Sequence, residues 1–477
     1  MRPSRLSVLS ADELDMIHEA SVDILSDPGL LVHEPEAIRL LERAGAAVTW
    51  EDEAKARIRL PRHVIESAIE TVPRRFALMA REGKSLRIGQ GNHYHFIGAE
   101  MTRVLDFDTQ SPRPATLEDL IRFTRLGDAL PLIHGITPEV YPQDIPQQVR
   151  PLRTMAAMVT NTTKHCLAAP LTYEEAEIWL EIGEILADGQ SLAENPVVSL
   201  CAASTPPLQL GTEAAKIMLL AARKKVPLVL MPVAMTGMTA PITLAGAVTC
   251  YNAQALFLLT LIQCTQPGAP VLLDVGLHAL DMRTADMAEG GPEFGLTTIA
   301  GVQLAKRYGM PTYAGSAHSD SKLPDLQTGT EKMACWLTGV LAGLDISINA
   351  GALAKCSMAS FEQMALDHEM LRYLQRFTEG ILVNAETIAL DTIRAVGPEG
   401  NFMNQDHTMR WLRSGENLYL ELFDRTGIKS PVEGLLHRAH AYAEAVLADH
   451  EPTVPEQAIA AIDQYVAARE KSMQYHR

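Results

Sequence analysis

Apolar residues recur along this chain in two successive rhythms. Near the N-terminus, "SADELDMIHEASVDILSD" opens on Ser10 with Glu13 three positions on, a capping box ahead of apolar residues at helical spacing, and predicts a helix. "PEAIRLLERAGAAV" predicts a second helix that stops on a glycine after a basic turn. "PRRFALMAREGKSLRIG" predicts a β-hairpin turning at Glu82-Gly83. From about residue 92 the rhythm changes, and short apolar runs return every 30 to 45 residues or so: "HYHFIG", "LIHGIT", "HCLAAP", "PVVSLCA", "PLVLMPV", "PVLLDVG", "PTYAGS" and "ISINAGA". Helical stretches such as "TLEDLIRFTRLGDA", "YEEAEIWLEIGEILAD", "LGTEAAKIMLLAARKK" and "FEQMALDHEMLRYLQRF" lie between them.

Runs that are apolar without clean alternation belong to parallel strands covered by helices. Eight such β-then-α units closing on themselves make a (β/α)8 barrel of the usual size. A doubly wound open sheet fits less well, because no glycine-rich phosphate turn follows the first strand. The expected organisation is an α/β chain with an N-terminal α+β cap over residues 1–90, a TIM barrel over 91–380 and a C-terminal helical extension over 381–477. The extension is predicted from "NAETIALDTIRAVG", "NLYLELFDRTG", "PVEGLLHRAHAYAEAVLADH" and "VPEQAIAAIDQYVAAREK", which are expected to pack on the barrel or on a second subunit, so a homo-oligomer is anticipated.

Composition narrows the function. A hydrophobic content of 47% over 477 residues supports a large core. A formal net charge of -17 argues against nucleic acid as partner, since phosphate recognition needs clustered Lys and Arg. The six cysteines, at 166, 201, 250, 264, 335 and 356, form no CxxC pair and read as reduced thiols, which points to the cytoplasm. The N-terminus has no apolar segment behind its arginines, and the runs "VPLVLMPVAMTGM" and "AQALFLLTLIQC" are shorter than the roughly 18 residues of a membrane span. No membrane partner is expected.

In such a barrel, chemistry gathers where the strands end at their C-terminal side. Those positions and the loops after them offer Tyr94, His95, Phe96 and Glu100, then Glu139 and Tyr141, then His165, Asp274 with His278, Tyr313 with His318, and Asn349. "YGMPTYAGSAHSDSKLPDLQTGTEK" is the densest stretch: a strand breaks into Gly315, Ser316 and Ala317 and then delivers His318, Asp320 and Lys322. A strand histidine usually hydrogen-bonds within the core, but a polar cluster directly after a barrel strand has few structural duties. Cys166, Cys201 and Cys356 could meet at the rim as a zinc site, yet no two are close in sequence and no metal site is assigned. P-loop, GxSxG and dinucleotide motifs are absent.

Several segments, in order, resemble the trimethylamine methyltransferase family of corrinoid-dependent methyltransferases: "SADELDMIHEASVDIL", "LLERAGAAV", "VLDFDTQSPRPATLEDL", "MTGMTAPITLAGAVTCYNAQALFLLTLIQCTQPGAPVLL", "GSAHSDSKLPDLQTGTEK" and "SFEQMALDHEM". The resemblance spans nearly the whole chain. It implies a (β/α)8 barrel that moves a methyl group from a methylated amine to the cobalt of a separate corrinoid protein, with no tightly bound cofactor of its own. Family members that use trimethylamine carry pyrrolysine after the seventh strand, whereas ordinary residues stand here near Gly315 to Ala317. The chain thus resembles the branch that demethylates quaternary amines such as glycine betaine. A quaternary nitrogen has no N–H to donate, so aromatic faces and carboxylates must hold it. On that reading Tyr94, Phe96, Tyr141 and Tyr313 are expected to form a cage, Glu100 or Asp274 to supply counter-charge, and Gly315 and Ser316 to leave room. His165, His318 and Lys322 would anchor a substrate carboxylate, Asn349 would line the site, and His318 with Asp320 would be the catalytic pair. The alternatives are a zinc-assisted corrinoid methyltransferase using the cysteines, and a non-catalytic module that binds a quaternary amine or scaffolds a corrinoid protein.

Overall fold

Eight short parallel strands close into a barrel: β1 Tyr94–Ile97, β2 Gly135–Ile136, β3 His165–Ala168, β4 Val198–Ala203, β5 Leu228–Met231, β6 Val271–Asp274, β7 Thr312–Ala314 and β8 Ile346–Ala350. All eight fall on the apolar runs expected to form them. The computed structural model describes residues 6–81, 85–427 and 433–475. Each strand is followed by a covering helix: α1 Leu117–Ala129, α2 Arg150–Val159, α3 Tyr173–Leu186, α4 Thr212–Lys224, α5 Leu244–Thr265, α6 Pro292–Tyr308, α7 Leu326–Ala342 and α8 Phe361–Glu379. Side-chain caps set several starts, including Thr116 with Asp119 at α1, Asp325 at α7 and Ser360 at α8.

α5 corrects the reading of "AQALFLLTLIQC". The helix runs for 22 residues and is apolar enough to cross a membrane, but 83% of its most apolar window is buried inside the protein. Its inner side faces β5, and its outer side is covered by the helices Ala11–Ser26 and Arg62–Thr71. A helix buried on both sides needs no polar face.

The N-terminal segment grips the barrel from outside and below. Ser10 and Glu13 form the expected capping box. Strands Leu30–Val32, Ala47–Trp50 and Ala56–Arg59 make a sheet that recruits Gln209–Leu210 from the loop after β4. The hairpin Phe76–Met79 with Ser85–Ile88 forms as expected, and its turn at Glu82-Gly83 lies outside the described residues. Leu78, Leu86 and Ile88 join Phe96, Leu167, Val229 and Leu272 in one apolar cluster, so the hairpin plugs the N-terminal mouth of the barrel. The opposite, C-terminal mouth remains open.

In the C-terminal part, helices Ala385–Ile388, Leu390–Val396, Leu435–Asp449 and Glu456–Tyr475 follow the sequence reading. "NLYLELFDRTG" does not: it is irregular, and Leu422 is buried with its N–H donated to Glu369. Fixing that segment to α8 took the place of local helical hydrogen bonds.

Candidate active site

At the C-terminal mouth lies a cavity of about 300 Å³. Asp274 and Tyr313 are register partners at the ends of β6 and β7 and both line it. Glu100, on the loop after β1 with φ +54, also lines it. Burial pushes the carboxyls of Glu100 and Asp274 up to about 7 each. For Asp274 the N–H of Gly276, 3.1 Å away, works in the other direction.

β8 bulges between Ser347 and Ala350, and Asn349 takes φ +83 there. Its Nδ2 donates to the Gly98 carbonyl at 3.3 Å, which turns Oδ1 toward Nε2 of His318, also at 3.3 Å. The Nε2–Cε1 edge of the His318 ring lies against Gly315, where a Cβ would come within 1.9 Å of Nε2. Gly315 thus makes room for His318 itself. Gly315→Ala is expected to displace that ring and lower turnover by about 100-fold with little change in melting temperature, because small misplacements cost that much in a positioned site. Unchanged turnover would remove His318 from the working site.

The loop carrying His318 is held from behind. Glu331 accepts from Ser319 Oγ at 2.7 Å and from the Asp320 N–H at 2.9 Å. Asp320 in turn accepts from the Glu289 N–H at 2.9 Å and lies outside the cavity lining. Glu289 reaches the cavity through a hairpin, His278–Asp281 with Asp286–Ala288, in which Ala279 pairs with Ala288. The next pair outward is His278 and Glu289, and both line the cavity. Burial opposes charge on His318 and Glu289 alike, but each holds the other ionised, lifting the histidine and lowering the glutamate. Phe294, at the start of α6, stacks on His318 with ring centroids 4.9 Å apart.

Of the residues singled out from sequence, Glu100, Asp274, His278, Tyr313, Gly315, His318 and Asn349 meet at the cavity. The others lie elsewhere. Tyr94 and His165 begin their strands and so sit at the plugged mouth, where the Tyr94 hydroxyl accepts from the Arg87 N–H and His165 bridges Met79 and Ser199. Phe96 is buried in the barrel interior below the cavity, its ring against Gly135. Tyr141 lines a neighbouring pocket that shares Glu100 and Ala169 with the first, under the guanidinium of Arg150. Ser316 is buried beside Gly339 of α7, and Lys322 is exposed. Cys201 and Cys356 line the cavity, but Cys166 belongs to the core outside the barrel, so the three cysteines do not converge. Glu289 and Phe294 were missed; the near-palindromic "HALDMRTADMAE" is the hairpin signal that would have placed Glu289 opposite His278.

The family model described as trimethylamine methyltransferase (MTTB) matches residues 2–474. The chain is 30% identical over 481 residues to the glycine betaine methyltransferase of Desulfitobacterium hafniense, with 98% of each covered. It is 29% identical over 462 residues to the trimethylamine methyltransferase MttB of Desulfitobacterium hafniense, covering 96% of this chain and 92% of the relative. Among solved structures, the monomethylamine methyltransferase MtmB of Methanosarcina barkeri shares the fold at a TM-score of 0.53 and 12% identity, covering 93% of this chain and 88% of that one.

Proposed function

The chain belongs to the trimethylamine methyltransferase family and is a methyltransferase, and on that premise we propose that it takes a methyl group from a quaternary amine of the betaine type and delivers it to the Co(I) of a partner corrinoid protein. The observation that carries this reading is the meeting of two carboxyls, buried Asp274 and half-buried Glu100, with the aromatic ring of Tyr313 in one cavity. Two acids raised to about 7 by burial form a site short of a cation. A permanently charged nitrogen supplies that cation and requires no hydrogen-bond acceptor.

The reaction balances without a proton. The C–N bond breaks with its electron pair left on nitrogen, giving a neutral tertiary amine, while the Co(I) pair forms the new bond to carbon. Tyr313 and Phe294 offer π-faces to the head group, and Glu100 and Asp274 hold its charge. The plugged lower mouth leaves the upper one as the route to the acceptor, so positioning and water exclusion are the contributions of this chain.

Affinity should follow the ionised carboxylates. Since Glu100 and Asp274 titrate near 7, binding of a quaternary amine is expected to weaken by about tenfold or more per pH unit below that value and to level off above it. In the empty protein the sign reverses: acids held above their unfolded values lend stability at low pH that is lost as pH rises through about 7. Calorimetric titration with glycine betaine between pH 5.5 and pH 8.5 checks this, and a flat profile would exclude both groups as counter-charge.

The six cysteines are free thiols, which supports a reducing, cytoplasmic setting. Exposed Ile381, Leu382, Val383 and Met403 support a homo-oligomer. A monomer in analytical ultracentrifugation would remove that expectation.

A further inference from the structure

Three segments bring ligating atoms to one part of the cavity wall: the start and end of the hairpin after β6, with His278 and Glu289, and the loop after β7, with His318. One atom from each lies within 4.8 Å of the others. His318 Nδ1 is 3.1 Å from Glu289 Oε2, and His278 Nδ1 is 3.7 Å from Glu289 Oε1.

Hydrogen bonding leaves this cluster unsatisfied. His278 Nδ1, His318 Nδ1 and Glu289 Oε2 are all buried and without a hydrogen-bond partner among the described residues, although His318 and Glu289 approach to 3.1 Å. Each such atom costs about 1–3 kcal/mol when left unpaired. A proton between His318 and Glu289 would serve that pair and leave His278 unserved. One cation at the centre serves all three.

The surroundings aim the ligands. The Asn349 amide is oriented by its bond to the Gly98 carbonyl, so its Oδ1 accepts the Nε2–H of His318 and leaves the lone pair on Nδ1, facing Glu289. Asp320 fixes Glu289 through its backbone N–H. Outer partners of this kind set tautomer and ring direction at metal sites.

We propose that His278, Glu289 and His318 hold a divalent metal ion, zinc by the character of the ligand set. Two imidazoles and a carboxylate are a zinc donor set that leaves a coordination position open. All three residues line the cavity, so the open position faces it, and Cys356 borders the same space. Resting on the function proposed above, this position takes the carboxylate of a zwitterionic substrate. Zinc with Glu289 carries net positive charge toward that carboxylate, whereas a protonated His318 with Glu289 carries none.

The test starts from metal content. Protein purified without chelator is expected to hold about one zinc per chain, and Co(II) exchanged into it should give visible ligand-field bands. Glu289→Gln and a His278→Asn/Glu289→Gln double variant should lose both signals while keeping the circular dichroism of chelator-treated wild type. Should either variant fail to fold, wild type stripped with dipicolinate and titrated with zinc alone still decides, one equivalent taken up supporting the site. No zinc as isolated and none taken up overturns it, as does zinc retained undiminished by a folded double variant. Removing zinc should weaken glycine betaine by about tenfold or more and leave choline, which has no carboxylate, unchanged. Equal losses for both ligands would refute the carboxylate role, and zinc bound with neither ligand recognised would refute the function while the metal site stands.

Discussion

Lys332→Met is expected to lower the stability of the fold by about 3–5 kcal/mol, the cost of leaving a buried charge without its partner. Lys332 on α7 and Asp367 on α8 are both fully buried, with Nζ 2.6 Å from Oδ2. Asp367 also accepts from Gln363 Nε2 at 2.6 Å and from the Gly351 N–H at 2.7 Å, and burial pushes its carboxyl up despite the lysine. The pair therefore ties two helices to the chain just after the β8 bulge that presents Asn349. A Lys332→Met/Asp367→Leu variant should recover much of the loss, because an apolar pair of similar volume replaces a buried ion pair at little cost. Denaturant unfolding of Lys332→Met, Asp367→Leu and the double variant measures the coupling, and a loss in the double variant equal to the sum of the two single losses would show that the pair does not act as a unit.

The second large effect concerns the head group. Glu100→Gln with Asp274→Asn should weaken glycine betaine binding by about 100-fold or more, since removing one partner of a desolvated charge pair costs about 2–5 kcal/mol. The informative comparison is 3,3-dimethylbutanoate, in which carbon replaces the quaternary nitrogen and the shape is kept. Wild type should prefer the betaine strongly, and the double variant should barely distinguish the two. A preference that survives both substitutions would assign charge recognition to other groups.

The barrel was legible because each strand is a short apolar run and several of the helices between them begin at a side-chain cap, as at Thr116 and Ser360. The site was legible only in part, for a geometric reason. Tyr94 and Tyr313 look alike in sequence, but the first opens its strand at the plugged mouth while the second lies beside Asp274 at the open one. A run of four or five apolar residues does not reveal which end carries the chemistry until the loops are built. Glu289 escaped because it sits on no barrel strand and reaches the cavity through hairpin register alone. Gly315 was singled out, but the space it leaves is taken by the His318 ring.

The most direct test of the account is methyl transfer itself. Folded protein mixed with cob(I)alamin and glycine betaine, or a related betaine, should convert the corrinoid to its methylated form in step with appearance of the dimethylated amine, and trimethylamine should give no conversion. Methylation from trimethylamine, or none across a panel of betaines, would contradict it.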